Sequence, residues 1–201
     1  MGRDFLEEAI LPPARRKSGE EEKMPSMVTH AAVGVAAAAA FAPRSVAGFF
    51  QPASVLCATV QDLDVIGFYF GLPYGHILGH RGFTHSLFLG LFAGLLLSAL
   101  LSRDEGAFSK GWFFYLFFFF LVWASHGVLD ALTRGGRGAA LLWPFDNHRI
   151  FFSWTPIPIS PIGLSSFFSN WGLHVLKNEI FWVWLPSFSL AFFARVVRIL
   201  A

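Results

Sequence analysis

The sequence predicts an all-α, polytopic membrane protein of about five membrane segments, with a metal site gathered at one face. Three observations carry this: an apolar composition, two charge-free runs of membrane length, and histidines and aspartates placed near the ends of such runs. Of 201 residues, 55% are hydrophobic and 14% charged, with 25 phenylalanines. Soluble domains carry about 25% charged residues, so a soluble class is excluded and the lipid bilayer is the expected partner. The net charge of +2 decides little about other partners, and no nucleic-acid signature is present.

Residues 1–26 hold six acids and five bases and few apolar residues, the composition of a disordered or loosely attached extension. Met27 is an alternative start, since MVTHAAVG opens directly into the first apolar run. A cleaved signal peptide ending near AAAFA is a second reading of that run, opposed by the acidic stretch before it. Arg15 and Arg16 lie too far from an apolar run for a twin-arginine signal. Residues 27–201 are then a single membrane-embedded domain.

The first span is the alanine-rich Val28 to Ala42. The second, Ala53 to Leu72, is interrupted by Asp62 and Asp64. Thr84 to Leu101 and Gly111 to Leu129 contain no charged residue and approach the roughly 20 residues a crossing helix needs. The fifth, Ile180 to Leu200, carries Pro186 and ends in Arg195 and Arg198, which can snorkel. FFYLFFFF, inside the fourth, is a lipid-facing or packing surface. TPIPISPIG, with Pro156, Pro158 and Pro161, excludes regular helix and runs extended along the surface or re-enters a protein-lined cavity. The single cysteine, Cys57, excludes an internal disulfide and a cysteine-based zinc site, so any metal is held by nitrogen and oxygen.

Five passes place the polar residues together. His30 starts the first span, and Asp62 and Asp64 lie toward the far end of the second. HRGFTHS (His80 to Ser86) precedes the third, and His126 and Asp130 close the fourth. All fall on one membrane face, whichever way the chain is oriented. With the N-terminus cytoplasmic, ten basic residues lie on that side and five on the other, so the site is expected to be cytoplasmic.

His126 and Asp130 in SHGVLD are spaced i, i+4 and share a helical face. They can ligate one divalent cation, or the carboxylate can simply satisfy a buried histidine. Asp62 and Asp64 are i, i+2, about 200° apart on an uninterrupted helix. Both reach one site only where the helix ends or distorts; otherwise DLD marks a helix end among headgroups. In HRGFTHS, Gly82 permits a tight turn and Thr84 or Ser86 can cap the next helix. His80 and His85 offer metal nitrogens, and Arg81 and the helix start favour an anion. Solvated interfacial histidines are the plainer reading of either one alone. In the loop after the fourth span, Arg134, Arg137 and Arg149 could hold a phosphate or merely fix topology, and His148 is a further ligand or acid.

THAAVG, DLD, HRGFTHS, SHGVLDALTRGG and WPF…HR, in this order between apolar spans, resemble the YdjM family of LexA-regulated, inner-membrane metal-dependent hydrolases. The match runs from Met27 to about Gly163, and HRGxTHS is its most specific part. That family is distantly similar to zinc-dependent phospholipases C and single-strand nucleases. The resemblance implies a bacterial inner-membrane phosphoester hydrolase and matches His126 and Asp130 to a metal pair. Gln61 departs from the family's frequent PDxD form.

The combined expectation is a membrane enzyme in which His30, Asp62, Asp64, His80, His85, His126 and Asp130 bind one to three divalent ions, zinc before manganese or magnesium. Arg81 and Arg149 would bind a phosphoester, possibly of a lipid or lipid-linked substrate. A metal or proton transporter is the rival, but it needs ionisable residues through the far half of the membrane. A non-catalytic membrane protein with a structural metal is the third reading.

Overall fold

The computed structural model describes residues 23–24, 26–135, 138–161 and 168–200. The expected extension over residues 1–26 falls outside the described residues except for Lys23, Met24 and Ser26, and Arg137 falls outside them too.

The described chain is mostly helical. Its helices are α1 Met27–Phe41, α2 Ala47–Thr59, the short α3 Ile66–Tyr69, α4 Leu87–Leu101, α5 Lys110–Ala131, α6 Asn170–Glu179 and α7 Leu185–Leu200. Four begin alike: the hydroxyls of Ser26, Ser86, Ser109 and Ser169 accept from the N–H three residues on and so satisfy an otherwise orphaned donor.

Helix α5 and the continuous helical run Asn170–Leu200 are long and apolar enough to cross a bilayer. Helices α1 and α4 are apolar but have only 15 residues each. The last run starts ten residues before the sequence expectation, because Asn170–Glu179 is helical and continuous with it, and Pro186 does not break it. A π turn at Ile180–Trp184 precedes the proline, with the Leu185 N–H donating to Ile180 O. The wider register is in place before the ring and missing N–H arrive.

Helix α1 packs against α2 and α7, α2 against α5, and α4 against α5. Lipid tails are as apolar as leucine, so helices in a bilayer associate through close approach and polar contacts more than through burial. Both devices occur here. A Cβ on Gly34 would lie 2.9 Å from Val55 Cα, and Ser54 Oγ donates to Gly34 O at 2.8 Å. A Cβ on Gly94 would lie 2.7 Å from Leu116 O. The phenylalanine run divides by face, with Phe118 and Phe119 packing on the buried Phe50 at ring separations of 4.4 and 5.2 Å while Phe113 and Phe117 stay exposed. Arg195 and Arg198 donate to Ala39 O and Ala40 O at 3.4 and 2.7 Å, closing the C-terminal end of α1.

The proline-rich segment is extended, as its composition requires. Strand β1 (Lys23–Met24) pairs antiparallel with β4 (Ser160–Pro161), and β2 (Thr133–Arg134) pairs parallel with β3 (Ile157–Pro158). Ile157 is buried in this arrangement, beside the end of α5.

Candidate metal centre

At the end where α1 starts and α5 stops, the seven expected ligand residues converge in three overlapping groups. These are His30, His126 and Asp130; Asp62, His85 and His126; and Asp64, His80 and His85. In each group the possible ligand atoms lie within 4.8 Å of one another.

The condition on DLD is met by a change of helix type. Helix α2 ends at Thr59 and the chain continues as a 3₁₀ helix over Val60–Val65. With three residues per turn, Asp62 and Asp64 diverge by about 120° rather than about 160°, so both reach the same interior. His30 lies in the first turn of α1, and His126 and Asp130 in the last turns of α5. His80 and His85 come from the turn before α4, whose backbone is set by Arg81 at φ +60° and a short 3₁₀ turn at Phe83–His85.

Two kinds of side chain can be told apart. Among the described residues, Asp62 and Asp130 have no hydrogen bond on either carboxylate oxygen, and neither ring nitrogen of His30 has one, although all three are buried. Buried polar atoms are normally paired, so such a concentration of orphans marks a place for a ligand. Asp62 Oδ1 and Asp130 Oδ2 both lie beside the paired His85 Nε2 and His126 Nε2. His85 and His126 Nε2 are 3.0 Å apart; His85 Nε2 lies 3.1 Å from Asp130 and 4.0 Å from Asp62. His126 Nε2 lies 3.3 Å from Asp62 and 3.7 Å from Asp130. A tetrahedral ion with bonds of about 2.0 Å separates its donors by about 3.3 Å, a spacing that four of these five pairs approach while Asp62 and His85 at 4.0 Å stand wider, and two imidazoles with two carboxylates are donors of the kind zinc takes. The plainer account of HxxxD fails here, because 3.7 Å is too long for a hydrogen bond and the other nitrogen, His126 Nδ1, is bound to Ala58 O at 2.7 Å. That carbonyl is one of those left open at the end of α2.

Asp64 is placed differently. Its oxygens meet His80 Nδ1 at 2.6 Å, Thr84 Oγ1 at 2.5 Å, the Arg81 N–H at 3.2 Å and His85 Nδ1 at 3.3 Å. It is saturated by donors and orients the two histidines. His80 Nε2 remains without a partner. The Arg81 guanidinium, buried and 3.2 Å from Asp130 Oδ1, also reaches Thr133 Oγ1, while its Nε and Nη1 lack a partner among the described residues. Three carboxylates here face this one guanidinium, an excess of acid that a divalent cation or a protonated histidine balances.

Arg149 is brought to the neighbouring loop instead. Nη1 donates to His80 O at 2.8 Å and Nη2 to Tyr74 O at 2.8 Å, with longer contacts to Gly138 O and His76 O, and the group lies 5.0 Å from the Tyr74 ring centre. It fixes the backbone that carries His80. His148 points outward and pairs with Asp146 at 2.6 Å; its amide and ring hold that carboxyl below the ordinary value. Gln61 donates to Trp123 O, joining the 3₁₀ helix to α5. Ser86, not Thr84, caps α4.

Sequence reasoning missed a second polar cluster. Glu179, buried at the end of α6, accepts from Ser26 N at 2.7 Å, from Ser26 Oγ and from Thr29 Oγ1 at 2.8 Å, and Trp184 Nε1 donates to Thr29 Oγ1 at 2.8 Å. It fastens the turn bearing His30. The available signal was an acid directly before the apolar run IFWVWL.

Fold and cluster together define a helical membrane protein with a buried histidine and aspartate centre at one end of its helices. The chain belongs to the YdjM inner membrane protein family, which matches residues 24–200. It is similar to the inner membrane protein YbcI of Escherichia coli (strain K12), 36% identical over 164 residues that cover 82% of this chain and 93% of that protein. No solved structure matches. The family resemblance drawn from HRGFTHS and its companion motifs is therefore correct, and the chain is an inner membrane protein.

Proposed function

We propose that this protein is a metal-dependent hydrolase of the inner membrane, acting on a phosphoester carried by a lipid or lipid-linked molecule. The single observation that carries this reading is the buried cluster of His85, His126, Asp62 and Asp130, whose carboxylate oxygens have no hydrogen bond among the described residues and lie 3.1 to 4.0 Å from the two Nε2 atoms. His85, His126, Asp62 and Asp130 hold the ion, His30 stands beside them, and His80 with Asp64 supports the set or holds a second ion. Imidazole favours zinc over manganese and magnesium. When bound, such an ion lowers the pKa of water toward about 7 and stabilises charge on phosphoryl oxygens.

The chain's own groups do the rest. Ala58 O on His126 Nδ1, and Asp64 with Thr84 on His85 Nδ1, aim both Nε2 atoms at the centre. Arg81, with Nε and Nη1 unpartnered, offers a planar cationic edge to the phosphate. Arg149 fixes the loop that carries His80 and does not stand among the metal donors. Residues 27–201 form one membrane-embedded unit of five segments, N-terminus and site cytoplasmic. The clustering of every ionisable ligand candidate at one end favours a one-sided enzyme over a transporter.

Elemental analysis of the detergent-purified protein beside a His126→Ala, Asp130→Ala double variant tests the reading. Zinc or manganese stoichiometric in the parent and lost in the variant, with turnover in a phosphoester and phospholipid screen, is the expected result. Tightly bound metal without turnover in any such screen would make the centre structural. No bound metal after reconstitution would overturn the hydrolase reading outright.

A further inference from the structure

Beside the centre, two cavities meet at one side chain. The first, about 110 Å³, has a mixed lining in which His76, Asn147 and Arg149 are the polar side chains, and it also touches Gly82 and Phe83 of the HRGFTHS turn. The second, about 280 Å³, is a groove between α4 and α5 lined by Leu87, Leu91, Phe120, Leu141 and Phe145. Trp143 lines both, and its ring packs edge-on to Phe83 on the one side and to Phe88 on the other, at 5.6 and 6.3 Å.

The order of these surfaces along the helices is what identifies an occupant. The polar cavity sits among the turns at the site end, level with the start of α4. The groove descends from there along Leu87 and Leu91 to Phe120, ten residues before Asp130 and therefore about 15 Å along the axis of α5. A polar, cationic end at the bilayer surface, an indole at the boundary and an apolar trough leading inward match one molecule in a membrane: a lipid with its headgroup up. Arg149 is held by the carbonyls of Tyr74 and His80, so its charge stands at that end in a fixed place. Leu87 N–H donates to Leu141 O, which ties the groove's outer wall to the helix that follows the metal turn.

We propose that the Trp143 groove binds one alkyl chain of a bilayer lipid and that the adjoining polar cavity takes its anionic phosphate headgroup. This deepens the hydrolase reading, on which it rests for the fate of the phosphate: only the turn Gly82–Phe83 separates the headgroup cavity from the residues that hold His85. Occupancy of the groove does not itself require a metal.

The test is photo-crosslinking of the full chain in nanodiscs with phosphatidic acid bearing a diazirine on one acyl chain, with mapping of the labelled peptides. Diacylglycerol with the same chain is the headless control, and excess inorganic phosphate asks whether the headgroup alone suffices. Labelling is expected on α4 and on the 141–145 segment, stronger for phosphatidic acid than for diacylglycerol and not displaced by inorganic phosphate. Leu91→Trp fills the groove and should lower it about tenfold. Leu96→Trp, exposed elsewhere on the same helix, should not. Labelling that maps elsewhere, equal yields from the two lipids, or equal loss in both tryptophan variants would overturn the proposal. So would a change of oligomeric state in Leu91→Trp, which would make the groove a protein interface. Metal-free protein should label as the holoprotein does, so absence of metal would refute the hydrolase reading and leave this one standing.

Discussion

Two aspartates separated by one residue divide the work at this centre, and the division is testable. Asp62 carries no hydrogen bond and lies 3.3 Å from His126 Nε2, whereas Asp64 accepts from His80, Thr84 and the Arg81 amide. Asp62→Ala should therefore abolish metal binding. Asp64→Asn should leave full occupancy at saturating metal but weaken affinity about 10–100-fold, the usual effect of losing a group that orients a ligand. Competition against a chelating indicator measures both, and equal losses would merge the two roles. Arg149 gives a second contrast. Its planar fork serves several carbonyls at once, so Arg149→Lys should fail to restore what Arg149→Gln loses. Lost protection of the 74–80 amides in hydrogen exchange, similar in both variants, is the outcome expected. The residues that cluster here were legible as candidates because histidine and aspartate are costly beside lipid. Their division was not, since it depends on Ala58 O and Thr84, groups that carry no chemical signature and reach the site only through the fold.

The element that the sequence hid best is the junction of α6 and α7. On a regular helix Glu179 and Trp184 would point about 140° apart. The π turn between them replaces that register with an i→i+5 one, and both side chains meet Thr29. Helical periodicity cannot announce such a shift, and Pro186 suggested an interruption where the helix in fact continues. By contrast α5 was readable nearly to its ends, because a charge-free run has only one structure available in hydrocarbon. Removing the Glu179 carboxylate leaves the Ser26 N–H and the Thr29 hydroxyl buried without an acceptor, while Ser26 Oγ keeps Thr29 Oγ1, at about 1–3 kcal/mol for each unsatisfied group. Glu179→Ala should accordingly lower the thermal midpoint in detergent and, because His30 is one residue from Thr29, weaken metal binding as well. Glu179→Gln, which keeps one acceptor oxygen, should fall between. A variant with parental stability and parental affinity would show that α1 needs no fastening from α6.

At the scale of the whole molecule the convergence of the site is what parity would give: a chain that crosses repeatedly returns to its starting face at every second turn. His30, the 61–85 stretch and the end of α5 meet at one end, as that count requires, while the carbonyls closing α1 are capped by Arg195 and Arg198 at the other. Length alone does not establish five crossings, since α1 and α4 have 15 residues each and α2 has 13. Short helices can still span where the bilayer thins around them, or where a polar centre draws the headgroup boundary inward. Single cysteines in a Cys57→Ser background distinguish the arrangements. His76→Cys and His148→Cys, both exposed at the site end, should react with a membrane-impermeant maleimide only after the cytoplasmic side is opened. Ser45→Cys and Asp104→Cys, exposed in the two opposite turns, should react in intact cells stripped of their outer membrane. Inversion of both pairs would reverse the orientation but keep the parity. All four reacting from one side would leave α1, α2, α4 and α5 as a bundle seated on the membrane, with Asn170–Leu200 as its anchor.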